Sequence, residues 1–78
     1  MSTKAYILIE TAVGKSGDVS KALRELSDIR TVDAVTGPYD IIAIISASDL
    51  NAVGEVGTKQ IHPIGGIART VTCLVVGT

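Results

Sequence analysis

The chain has no tryptophan and no phenylalanine, and its only aromatic residues are Tyr6 and Tyr39. A core must therefore come from Val, Ile, Leu and Ala, which bury less area per side chain. At 78 residues it is one small domain, 1–78, and a domain this size removes only about 60% of its unfolded surface from water. A lone protomer of this kind is marginal, so self-association is the favoured solution. Cysteine is scarce too. Cys73 stands alone, which excludes an internal disulfide and a thiolate metal cage and reads as a buried free thiol. Charge nearly balances, at −1. No basic stripe is available for a nucleic acid, so no direct nucleic-acid binding is expected. No apolar run approaches membrane-spanning length, and Met1-Ser2-Thr3-Lys4 lacks a signal-peptide layout. A cytoplasmic protein with no membrane association is expected.

The usual catalytic patterns are missing as well. There is no GxSxG, no Walker loop and no GxGxxG. The single histidine, His62, precedes Pro63 in a loop, with no carboxylate close in sequence to orient it. It reads as a surface or loop-packing residue rather than a general base. Neither a metal, a cofactor nor an enzyme activity is expected.

What is present is β-rich and periodic. The spacing predicts a strand from Ala5 to about Ala12, with Ile7 and Ile9 on one side and Tyr6 and Leu8 on the other. A helix capped by Ser16 or Asp18 runs to about Ser27, with Val19, Ala22, Leu23 and Leu26 on one face. Arg30 to Thr36 forms a second strand. Gly37 and Pro38 then make a turn, in which Pro38 biases Gly37 toward extended geometry. A third strand, Asp40 to Ala47, is apolar at almost every position, as expected of a strand covered on both faces.

A second helix follows, with Ser48 a better cap than Asp49, and runs to about Gln60. Leu50, Val53, Gly54, Gly57 and Ile61 share one face. The glycines weaken this helix by about 1 kcal/mol each, and close packing of backbone on the sheet is the expected reason for them. Ile67 to Val76 is the last strand. Ile67, Val71, Cys73 and Val75 alternate there with Ala68, Thr70, Thr72 and Leu74.

Two strand-helix-strand halves, about 4–36 and 39–77, predict a ferredoxin-like α+β sandwich, βαββαβ, with an antiparallel sheet and both helices on one face. Two helices cover only one sheet face. Strands 1, 3 and 4 nonetheless carry apolar residues on both faces. A large uncovered apolar face is unusual on a monomer, so a two-fold, sheet-to-sheet dimer is expected.

Tyr39 and Asp40 stand at the mouth of the hairpin, and Thr70 and Thr72 share one face of an otherwise apolar strand. Together with backbone N–H groups of the turn at Gly37, they offer an acid, hydroxyls and an aromatic wall. That inventory suits a zwitterionic amino acid, whose two charged ends need opposite partners.

Thr36-Gly37-Pro38-Tyr39-Asp40 resembles the tGxYD hairpin of the Lrp/AsnC transcription regulators. Gly66-Ile67-Ala68-Arg69-Thr70-Val71-Thr72-Cys73-Leu74-Val75-Val76 is similar to their GVxRTxTxLVL last strand. The resemblance covers nearly the whole chain. It implies the amino-acid-sensing domain of that family, called the RAM or AsnC ligand-binding domain. The effector site it implies is Gly37, Tyr39, Asp40, Thr70 and Thr72; Arg69 matches the motif too, as an effector group or as half of an interface salt bridge. Homo-oligomers of sheet-paired dimers, closing into rings of four or five dimers, are also implied. The family's helix-turn-helix has no counterpart before the first strand. The chain therefore reads as a stand-alone sensing module, able to join full-length Lrp/AsnC relatives. Two other readings compete: a structural assembly module with no ligand, and a dimeric α+β barrel enzyme.

Overall fold

The structure, a computed structural model, describes residues 2–76. Strand β1 (Thr3–Thr11) leads to helix α1 (Ser16–Arg24), strand β2 (Ile29–Ala34) and strand β3 (Ile41–Ala47). Helix α2 (Leu50–Glu55) continues into a π-helical turn (Val56–Ile61), and strand β4 (Ile67–Leu74) ends the order. The strands lie in the order β2-β3-β1-β4, each neighbour antiparallel. This is the expected ferredoxin-like α+β fold.

Alternation decides which side of the sheet is buried. Ala5, Ile7 and Ile9 of β1 and Ile41, Ala43 and Ile45 of β3 meet Val19 and Leu23 of α1 and Val53, Val56 and Ile61 of the second helical segment. Both helical segments therefore share one sheet face. On the other face Tyr6 lies between Ile44 and Cys73, and Leu8 between Ile42 and Val71. This second face is apolar at its centre and bears no helix. Lys4, over the Tyr6 ring at 5.4 Å, and the pair Glu10 and Arg69 stand at its two ends.

Several element ends differ from the pattern reading. Neither Ser16 nor Asp18 caps α1: Ser16 is its first residue, and the cap position is Lys15, which has no side-chain acceptor to offer. Helix α1 also stops at Arg24, where Glu25 and Leu26 close turns back to Ala22 and Leu23. At α2 the cap is Asp49, not Ser48. Its backbone is extended, and its Oδ1 accepts from the Ala52 N–H at 2.8 Å. The helix does not stay α-helical to Gln60, because the His62 N–H donates to the Gly57 carbonyl, five residues back, at 2.8 Å. Strand β2 begins at Ile29 and ends at Ala34, β3 begins at Ile41, and β4 ends at Leu74.

The placements of five residues are also corrected. Leu50 is 60% exposed and Gly54 is exposed, while Val56, outside the expected face, is in the core. Cys73 is exposed, since it projects from an edge strand onto the helix-free face. Ile67 packs on the core rather than beside Val71, because a bulge opposite Glu10 and Thr11 shifts the register of β4. Glycine is required in the loop before β4. Gly66 has φ +97°, and a Cβ there would lie 2.9 Å from the Lys15 Cβ. Its carbonyl accepts from the Ala12 N–H at 2.8 Å, closing the end of β1 against the start of β4. No helix among the described residues is long and apolar enough to cross a membrane.

Candidate functional site

The connection between β2 and β3 is closed by the Val35 N–H donating to the Asp40 carbonyl at 2.9 Å. Gly37 is not extended: its φ of +134° belongs to the region only glycine adopts readily. The bend it makes delivers Tyr39 and Asp40 to the root of β3. Asp40 is then tied to β1. Its N–H donates to the Ile9 carbonyl at 2.9 Å. Its Oδ2 accepts from the Thr11 N–H at 2.8 Å and from the Thr11 hydroxyl at 3.2 Å. The bulge at Glu10 and Thr11 leaves that N–H in need of an acceptor, and the carboxylate supplies it.

Tyr39 is half-buried and faces Arg69. The Arg69 guanidinium lies 5.7 Å from the Tyr39 ring centroid, and its Nη2 donates to the phenol oxygen at 3.4 Å. Its Nε is 3.8 Å from the Glu10 carboxylate, with both side chains well exposed. Thus Tyr39 is joined to the start of β4 by Arg69, and Asp40 to the end of β1 by Thr11.

Thr70 and Thr72 lie elsewhere. They oppose Ile9 and Ile7, so they are on the helix-covered face. With Gly54, Gly57, Thr58 and His62 they line a groove of 410 Å³ between the second helical segment and β4. A Cβ at Gly54 or Gly57 would meet nothing within 4 Å. The expected close packing of these glycines on the sheet is absent: they border open space. A smaller groove of 330 Å³, lined by Ile67, Ala68 and Arg69, shares His62 and Thr70 with the first.

The five expected residues therefore fall into two groups. Gly37, Tyr39 and Asp40 form the hairpin group; Thr70 and Thr72 form the groove group on the helix side. Within one protomer they do not converge. Thr11 and the Tyr39–Arg69 contact escaped the sequence reading, since both depend on strand register across some thirty residues of chain. His62 and the two helix glycines were visible in sequence, but not their common groove. Among the described residues no group of three or more His, Cys, Asp or Glu could hold a metal ion.

Comparison with known proteins bears on the fold and the family. TTHA0845 of Thermus thermophilus superposes with a TM-score of 0.92 at 30% identity, over 97% of this chain and 95% of that one. E. coli AsnC superposes with a TM-score of 0.92 at 21% identity, over 97% of this chain but 52% of that one. The transcriptional regulator NMB0573 of Neisseria meningitidis, solved as a complex with L-Met, gives a TM-score of 0.84 at 17% identity, over 96% of this chain and 50% of that one. The chain thus spans about half the length of these two regulators and nearly all of TTHA0845. No curated protein matches. The family model of the Lrp/AsnC ligand binding domain matches residues 4–78, and the chain belongs to that family.

Proposed function

We propose that this domain binds a small amino-acid effector between subunits and that the effector shifts its assembly. A ligand binding domain of this family is a regulatory module and not an enzyme. The observation that carries the reading is the separation of the polar groups into two incomplete halves. The hairpin half, with Gly37, Tyr39 and Asp40, has charge and an aromatic wall but no enclosed compartment. The groove half, with Thr70 and Thr72, has a compartment and hydroxyls, but its larger, 410 Å³ groove has no carboxylate or guanidinium on its walls. A zwitterion needs both. Two protomers that present opposite halves to one another complete the site, and the ligand then favours the state in which they meet.

The apolar, helix-free sheet face supports a sheet-to-sheet dimer as the unit of assembly. That the fold of NMB0573 is found with L-Met supports an amino acid as the class of effector. The protein then acts as a homo-oligomer, with transcription regulation as its output. Titration calorimetry with the common L-amino acids, paired with light scattering, tests the reading. Expected is one or a few binders that change the oligomeric mass or its stability. A stable oligomer indifferent to all of them would leave a structural assembly module without ligand.

A further inference from the structure

We propose that Arg69 is the group that binds the effector carboxylate, an inference that rests on the amino-acid reading above. The five residues of the expected site include an anion, Asp40, but no cation. Arg69 is the cation that the fold brings to the hairpin half. It follows Ala68 at the bulge of β4, and its partner across the sheet is Glu10, the neighbour of Thr11. Thr11 in turn holds Asp40. An acid tied to Thr11 and a guanidinium facing Glu10 therefore stand at the same end of β1, and a zwitterion's two ends need partners of opposite charge.

The guanidinium is positioned but not neutralised. The Tyr39 ring centroid lies 5.7 Å from it, within cation–π range. Among the described residues its one side-chain hydrogen bond goes to the Tyr39 hydroxyl, at a long 3.4 Å. Glu10 is 3.8 Å away, beyond hydrogen-bond distance, and the two side chains are 60% and 45% exposed. Such a pair is held weakly in water. Most of the five N–H donors remain open, and a planar carboxylate takes two of them at once. Glu10 is a competitor for that position. On binding, the effector carboxylate displaces Glu10, while Tyr39 keeps the guanidinium in place.

The common L-amino acids and their primary amides test this against the wild type, Arg69→Gln, Arg69→Lys and Glu10→Gln. Amides keep the ammonium and lose the carboxylate charge. The wild type should prefer acid over amide, and Arg69→Gln should reduce that preference by about tenfold or more. Arg69→Lys should restore it in part, and Glu10→Gln should raise affinity for the acid a few-fold, a gain that a purely structural ion pair would not give. If no acid binds the wild type, the amino-acid reading fails and this proposal with it. If acids bind and Arg69→Gln keeps the full acid-over-amide preference, the Arg69 proposal alone is overturned. Loss of oligomeric mass in Arg69→Gln, with the preference intact, would assign the guanidinium to a subunit contact instead.

Discussion

One carboxylate oxygen of Asp40 accepts both the backbone N–H and the hydroxyl of Thr11, at 2.8 and 3.2 Å. Two residues from separate strands are thereby locked at the bulged end of β1. Asp40 consequently has a structural task besides any role toward an effector. Its replacement by alanine leaves the half-buried Thr11 N–H without an acceptor, which costs about 1–3 kcal/mol. In a domain this small that lowers the melting temperature by several degrees per kcal/mol. Asp40→Asn keeps an acceptor oxygen and loses the charge. Urea denaturation should show Asp40→Ala clearly destabilised and Asp40→Asn by about 1 kcal/mol or less. Ammonium recognition should weaken in both, so Asp40→Asn separates binding from folding.

The glycines of the chain divide by the same physical reasoning. Gly66 needs its positive φ of +97°, and a Cβ would press on Lys15 at 2.9 Å and Val19 at 3.1 Å. Strain and overpacking each cost about 1–3 kcal/mol, so Gly66→Ala should destabilise strongly in thermal melts. Gly54 has no such need, since its Cβ direction is open. Gly54→Ala should raise stability by about 0.5–1 kcal/mol through lower unfolded-state entropy and better helix propensity. It should at the same time narrow the groove beside Thr70 and Thr72 and weaken effectors with long side chains more than short ones. A calorimetric series of Ala, Val, Leu and Met checks the second half.

The cap of α2 offers a sharper local test. Asp49 accepts the Ala52 N–H at 2.8 Å, and Ser48 has no such bond to the helix. Asp49→Ala should cost about 1 kcal/mol, within the usual 0.5–2 kcal/mol range for a lost cap. Ser48→Ala should change stability by only a few tenths of a kcal/mol, as exposed substitutions do. Equal effects in chemical denaturation would contradict the observed cap geometry.

The division of each strand into two alternating sets was legible in sequence because its period is two, but both sets are apolar, so only the structure decides that Ile7 with Ile9, and Ile41 with Ala43 and Ile45, meet the helices. The same alternation named Tyr6, Leu8, Ile42 and Ile44 as candidates for the other face. Where the reading went astray, one residue of offset was enough. Asp49 and Ser48 are both good caps, and only the backbone decides between them. The bulge in β4 moves Ile67 across the sheet without any marker in the sequence. Cys73 looks like a core thiol until pairing with Tyr6 places it on the helix-free face. Of the candidate site, the residue types at positions 37–40 and 70–72 were legible. Their separation into two halves was not, because it depends on which face of β4 is covered. Thr11, twenty-nine residues from Asp40, carried no local signal at all.

The helix-free face gives the last prediction. Ile44 lies beside Tyr6, and Tyr6 beside Cys73, so these three side chains occupy one continuous strip of the sheet. Burying that strip in a sheet-to-sheet dimer returns about 25 cal/mol for each Å² of apolar surface removed from water. A charge at its centre has to be desolvated without a partner, which costs several kcal/mol. Ile44→Asp should therefore lower the mass seen by light scattering to that of a protomer, while the core, built from the opposite side chains of β3, stays intact by circular dichroism. Cys73 reports the same event chemically. Its thiol should react slowly with a maleimide in the assembled wild type and many-fold faster in Ile44→Asp. Rapid labelling of Cys73 in a wild type of unchanged oligomeric mass would mean that the assembly uses some other surface, and the sheet-to-sheet dimer would have to be abandoned.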